Sequence, residues 1–219
     1  MRRPFFMDFK HIVASRHAAK AFDSDRKIRP EHVEELLEIV RLAPSSFNLQ
    51  PWKIMVITDP ALKQRLAPAA WNQPQIMSSS HLLVFLADTR LDHLIAQLAE
   101  QMDAVGVHPD RRDPYVSMMY GFSNRLSPEE KKAWSQRQVY LALGNALNGA
   151  ESLGFDSCPM EGFDPAAFSE ILGLPSHLVP TVLCPIGYAV DSPSAKMRFS
   201  KKQIVLTPAD LSSPVPVVA

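Results

Sequence analysis

The stretch Leu42-Ala43-Pro44-Ser45-Ser46-Phe47-Asn48-Leu49-Gln50-Pro51-Trp52, running on into Lys53-Ile54-Met55-Val56-Ile57-Thr58, decides how the chain around it is read. An amphipathic helix ends at Pro44, and a strand-like apolar run follows Trp52. Proline fixes φ and restricts the residue before it. Ser, Asn and Gln between two prolines therefore form a stiff loop rich in hydrogen-bonding groups. Such a loop can hold a flat polar ligand. The same residues also fit an ordinary helix-to-strand connection.

Upstream, Pro30 to Leu42 is a helix with proline at its first position and acids in its first turn, where the helix dipole favours them. Val33, Leu36, Leu37 and Val40 make its apolar stripe. Residues 7–15 read as a short helix with Phe9, Ile12 and Val13 on one face. Downstream of the 53–58 strand, Asp59-Pro60 caps a helix reaching about Ala67, and Ala69 to Ser80 is polar and without period. His81 to Ala87 is a second buried strand, and Arg90 to about Val105 a helix. Gly106 to Asn124 is mixed, with Tyr115, Met118, Met119, Tyr120 and Phe122. Ser127-Pro128-Glu129-Glu130 is a capping box opening a long helix to Gly154, whose flank of Gly144, Asn145, Ala146, Gly149 and Ala150 is small. Asp164-Pro165 starts another helix, and Thr181 to Tyr188 is the third strand. Ser212 to Ala219, with two prolines, is expected to lie extended or to fray.

Composition narrows the function. The 219 residues suffice for a core without staples. Lys+Arg and Asp+Glu balance at 23 each, so no global field recruits nucleic acid or an anionic membrane. Cys158 and Cys184 give neither a disulfide framework nor zinc spacing, and no metal is expected. The apolar runs are strand-sized, and the N-terminus has a basic start but no apolar h-region, so a cytoplasmic protein is expected. None of the eight glycines forms a G-x-G, which excludes a Rossmann fingerprint and a P-loop. Neither G-x-S-x-G nor H-E-x-x-H occurs, so hydrolase readings are poor.

Any phosphate site must then be local and cationic. Arg16-His17-Ala18-Ala19-Lys20 has no acid between Lys10 and Phe22, and Lys196-Met197-Arg198 lies in a run with no acid between Asp191 and Asp210. Each stretch reads either as a solvated basic segment or as part of a phosphate clamp, with arginine offering a fork and lysine a point charge.

The order of these residues resembles the nitroreductase family. Pro44-Ser45-Ser46-x-Asn48-x-Gln50-Pro51-Trp52 is similar to its "PSSxNxQPW" segment, and Arg16-x-Ala18-x-Lys20-x-Phe22 to its "RxSxKxF" motif, with Ala18 where Ser or Thr is frequent. Pro159-Met160-Glu161-Gly162-Phe163-Asp164 matches "PxEGFD", and Lys196-x-Arg198 resembles "KxRxP", with Ser200 where proline is common. The resemblance implies an α+β fold over 1–219: a small, mainly antiparallel sheet flanked by helices in an intertwined homodimer. It implies a helical excursion near 106–126, with Tyr120 as its substrate-covering aromatic, and an extended tail over 206–219.

It further implies an FMN enzyme with NADH or NADPH as donor, reducing nitroaromatics or quinones by ping-pong hydride transfer through flavin N5. Arg16, His17, Ala18, Lys20, Lys196 and Arg198 would hold the phosphate side. Pro44, Ser45, Ser46 and Asn48, from the other subunit, would hold the ring and ribityl chain with Asn72 and Gln75. Gln75 stands where the family carries a lysine. Pro159, Glu161 and Gly162 would flank N5, with no single indispensable protein acid or base. An enone, pteridine or flavin reductase of the same fold, or a flavin-binding protein without turnover, stays open.

Overall fold

The computed structural model describes residues 8–211. Its centre is a four-stranded antiparallel sheet in the order β1 (Trp52–Ile57), β2 (His81–Asp88), β4 (Leu178–Gly187), β3 (Asp156–Ser157). β1 and β2 pair from Trp52 with Ala87 to Ile57 with Leu82. β2 and β4 pair from His81 with Ile186 to Asp88 with Leu178, with one register shift between Phe85 and Leu86. Phe85 faces Val182 and Leu86 faces Pro180, so the irregularity falls beside a proline, which has no N–H for the ladder. β3 is a fourth strand where three were expected; at two residues it carries no period to read.

β2 is buried on both sides, which explains its unbroken apolar run. Leu83, Phe85 and Ala87 face a core shared with α2 (Pro30–Arg41) and α7 (Pro128–Ser152). Leu82, Val84 and Leu86 face the opposite core with Ile57, Leu66, Ile76, Phe163 and Phe168, supplied in part by α3 (Pro60–Leu66) and α8 (Pro165–Leu172). This is the period-two alternation of a strand. A third cluster joins Leu49, Trp134 and Met119 to α5 (Leu91–Ala104).

Local signals account for the helix boundaries. Asp59 accepts from the amides of Ala61 and Leu62, and Asp164 from those of Ala166 and Ala167. The capping box at Ser127 and Glu130 opens α7, which at 25 residues is about 37 Å long. Gly149 serves packing within the chain: a Cβ there would stand 2.9 Å from Leu36 Cδ1. The small flank of α7 is thus partly filled by α2, whereas Gly144 faces open space. α1 (Phe9–Ser15) buries Ile12 alone of its three apolar residues; Phe9 and Val13 are exposed.

The aperiodic segment after α3 is ordered by tertiary contacts. It folds into a 3-10 turn (Pro68–Ala70) and the five-residue α4 (Pro74–Ser78), with Gln75 and Ile76 buried. Lys63, 3% exposed, reaches under the turn that follows and donates from Nζ to Ser79 O at 2.7 Å and Ser79 Oγ at 3.1 Å. Burial, helped by the Lys27 charge, pulls its ammonium down to about 8.

The mixed stretch after Gly106 forms one helix, α6 (Pro109–Ser123), with Pro114 inside it. A polar first half and an internal proline hide its period. Near the C-terminus comes α9 (Lys201–Ile204), and the stretch expected to be extended from 206 onward instead begins with a 3-10 turn at Pro208–Leu211, whose backbone hydrogen bond from Asp210 to Thr207 curls the chain. Residues 212–219 of that expected tail lie outside the described residues.

Candidate functional site

The chain leaves α1 at Arg16 and crosses the end of the sheet. Ala18 bridges Ser157 of β3, and Phe22 bridges Ala189 just beyond β4. The exit of β4 turns at Asp191, whose Oδ1 accepts from the amides of Lys20 at 3.0 Å and Ala21 at 3.1 Å. Burial pushes the Asp191 carboxyl up, but those amides outweigh it and leave it below the ordinary carboxylate range. The chain then returns along α1, and Lys196 Nζ donates to Val13 O at 2.9 Å and Arg16 O at 2.6 Å.

The result is a cavity of about 520 Å³ whose lining includes Arg16, His17, Ala18, Lys20, Pro159, Lys196 and Arg198. Two cationic segments 180 positions apart thus share one cleft. Desolvation, then the charges of Arg16 and Arg198, lower the Lys196 ammonium from its ordinary value. Fixed cations crowded in this way favour an anion. Asp191, which orders the Lys20 turn, also lines the cavity and was missed in the sequence. Its signal was position: the first acid after the last strand, ahead of the basic run.

A second set braces the Pro159–Asp164 turn. Met160 exchanges both backbone hydrogen bonds with Leu183, at 2.9 and 3.0 Å. Gly162 O accepts from Gln73 Nε2 at 2.7 Å, and the Asp164 amide donates to Ala69 O at 2.8 Å. Trp71 and Asn72 both adopt left-handed backbone, φ 54° and 53°, which carries the Trp71 indole over Gly162. A Cβ at Gly162 would lie 2.7 Å from Trp71 Cζ3, so the close approach requires glycine. Tyr140 of α7 donates from its hydroxyl to Glu161 Oε1. Neither Gln73 nor Tyr140 had a local sequence signal.

Buried polar atoms without a protein partner gather nearby. Gln75, 5% exposed, points Nε2 at Cys158 Sγ, 4.0 Å away, while its Oε1 has no partner among the described residues. His17 Nε2 and Ser157 Oγ share that condition. Such orphans are costly, and a polar group bound there would relieve them. Cys158 is buried, and burial pushes its thiol up, as suits packing rather than reactivity.

The remaining predicted residues lie elsewhere in the chain. In the Pro44 loop, Ser45 Oγ accepts from the Gln50 amide at 2.9 Å, and the Ser46 amide donates to Gln138 Oε1 of α7 at 2.9 Å. Phe47, Asn48 and Gln50 have positive φ, so the loop is tightly coiled. Asn48 lines a separate cavity of about 240 Å³ with Arg41, Gln50, Trp52, Lys53 and Gln101, away from the cationic cleft. Tyr120 lines a third groove, about 540 Å³, with Asp103, Arg112 and Val116. Asn72 is exposed. One chain therefore brings together the phosphate-side residues and Pro159, but neither the Pro44 loop nor Tyr120.

An antiparallel four-stranded sheet between helical layers, with a cationic cleft beside a braced Pro-x-Glu-Gly turn, defines a nitroreductase-like fold. The Nitroreductase family profile matches residues 13–188, and the chain belongs to that family. It is 34% identical over 200 residues to an NADH dehydrogenase of Thermus thermophilus, covering 91% of this chain and 96% of that one. It is 31% identical over 193 residues to the oxygen-insensitive NAD(P)H nitroreductase of Enterobacter cloacae, covering 83% and 89%. Among solved structures, a protein of Exiguobacterium sibiricum assigned as a nitroreductase and crystallised with FMN superposes with a TM-score of 0.84 at 29% identity, covering 92% and 97%.

Proposed function

We propose that this chain is an FMN-dependent NAD(P)H oxidoreductase that reduces nitroaromatics or quinones in a ping-pong cycle. The observation that carries the reading is the convergence of Arg16, Lys20, Lys196 and Arg198 on one cavity beside Pro159. These cations suit a phosphate dianion without a glycine-rich loop. The orphaned Gln75 amide oxygen and His17 ring nitrogen lie in segments that the family uses for the flavin, so the residues present fit the cofactor.

FMN, when bound, supplies hydride acceptance from NAD(P)H and hydride donation to the oxidised acceptor. The chain supplies position and electrostatics. Arg16, Lys20, Lys196 and Arg198 hold phosphate, with His17 and Ala18 along the cleft wall. Asn72 and Gln75 hold the ring side, and Gln75 does so without adding positive charge. Pro159, Glu161 and Gly162 form the edge facing the reacting atoms, kept rigid by Gln73, Trp71 and Met160. Because one bound flavin would serve donor and acceptor in succession, ping-pong kinetics are expected.

The Pro44–Asn48 loop completes the site from a second copy in a two-fold homodimer. Its distance from the cationic cleft within one chain, and the exposed Phe9, Val13, Leu42 and Leu141, support that assembly. Tyr120 then reaches substrate across the same interface. Among the described residues no helix is long and apolar enough to cross a membrane, and both cysteines are free thiols, which suits the cytoplasm.

The deciding experiment is the visible spectrum of purified protein before and after anaerobic NADH or NADPH. Yellow protein that bleaches, then recovers colour with a nitroaromatic, is the expected result. Yellow protein that never bleaches sinks the reductase reading. Protein that stays colourless after reconstitution with FMN sinks the clamp.

A further inference from the structure

Glu161 has an exposed side chain on an otherwise immobilised turn. Its own carbonyl accepts from the Phe163 amide at 2.9 Å, and its neighbours Met160 and Gly162 are pinned by Leu183 and Gln73. The remaining freedom at this edge of the site is the Glu161 side chain, and the hydroxyl of Tyr140 holds it by a hydrogen bond to Oε1. Tyr140 stands next to the fully buried Val139 on α7 and is itself 41% exposed, so its ring is anchored at the base and reaches outward. Burial, then the bond to Glu161, raises its phenol to about 12, so it remains a neutral donor at any working pH.

We infer that Tyr140 is a positioning residue that fixes the Glu161 carboxylate at the flavin edge and thereby sets the reduction potential of the bound flavin. The inference rests on the flavin reading above. Reduced flavin carries negative charge, and a carboxylate held beside it disfavours that form, which lowers the potential and makes the enzyme a stronger reductant. Without the phenol hydroxyl, the carboxylate swings toward water and its charge is screened. Gln75 adds no cation to offset Glu161, so the carboxylate's placement carries more weight here.

The test is the midpoint potential of FMN bound to wild type, Tyr140→Phe, Glu161→Gln and the double variant, with flavin content and melting temperature recorded for each. Glu161→Gln is expected to raise the potential, changing the reduced-to-oxidised ratio at fixed solution potential by roughly threefold to tenfold. Tyr140→Phe shifts it the same way by less, and adds nothing once Glu161 is Gln. Such non-additivity marks action through a shared partner. A Tyr140→Phe potential equal to wild type, or a shift that adds fully to that of Glu161→Gln, overturns the role of Tyr140. Tyr140→Leu, read in the same cycle, keeps the comparison if the phenylalanine variant folds poorly. Protein that takes up no FMN overturns the flavin reading and this inference together, whereas bound, reducible flavin with additive shifts overturns the inference alone.

Discussion

The cationic cleft and the Glu161 turn meet at Pro159, yet they are built in opposite ways. The cleft is made of side-chain charge on exposed chain: Lys196, Met197 and Arg198 lie in no helix or strand, and Asp191 with two amides orders the facing segment. The turn is made of backbone, clamped from β4 and from the Trp71–Gln73 corner, while α7 holds only the Glu161 side chain. Charge tolerates imprecise placement because Coulomb energy falls off slowly with distance. A group that must meet one face of a ring cannot rely on charge alone, so steric contact and hydrogen bonds fix it.

Four measurements break or sharpen that contrast. The largest effect is expected in the cleft: Arg16→Ala with Arg198→Ala should weaken FMN binding by roughly two orders of magnitude or more, since each charge-assisted contact contributes about 1.5–3 kcal/mol. Titration of apoprotein with FMN checks this, and the melting temperature of the apoprotein should scarcely move. An equal loss of fold stability would erase the distinction between the two regions.

On the braced side, Lys63 supports the turn between α4 and β2, and its effect is read through pH. Its folded pKa, about 8, lies below the unfolded value of 10.5, so the unfolded chain binds more protons between the two. The cost of burying the ammonium is present in full below about pH 8 and disappears as pH rises toward 10.5. Denaturant unfolding across that window should show wild type gaining up to about 3 kcal/mol relative to Lys63→Met. Parallel curves would mean that Lys63 is not desolvated as described.

Gly162→Ala comes next. The new methyl meets Trp71 and Gln73, which should cost about 1–2 kcal/mol and change the Trp71 fluorescence as the indole is displaced. Neutral stability with an unchanged spectrum would show that the corner is loose. The smallest effect is that of salt. Raising ionic strength from low to about 0.5 M should weaken FMN binding roughly threefold to tenfold through the exposed cations, and leave the Gly162→Ala penalty unchanged.

Much of this was legible in the residues, unevenly. Helices opened by Asp59-Pro60, Ser127-Pro128 and Asp164-Pro165 carry their caps in the local sequence, and the structure has them at those residues. The three longer strands show as apolar runs bounded by turn signals. α4 and β3 did not show, because both are too short for a period, and α6 has no period of its own to read, with Pro114 inside it, so a helix there was expected only from the family resemblance. In the site, Arg16, Lys20, Lys196, Arg198 and the Pro159–Asp164 turn stood out because charge runs and Pro-x-Glu-Gly are local patterns. Asp191, Gln73, Trp71 and Tyr140 did not, since their partners lie between 21 and 171 positions away.

The sequence by itself determined the capped helices and the three longer strands, that any phosphate site had to be cationic rather than glycine-rich, and which family the motif order resembles. Each of those follows from local sterics, period or residue chemistry. Tertiary structure alone decided that two basic segments share one cavity, that the Pro44 loop lies apart from it in the same chain, and that a phenol from α7 holds the carboxylate of a distant turn. Those facts depend on how elements remote in sequence pack, and no local propensity encodes that geometry.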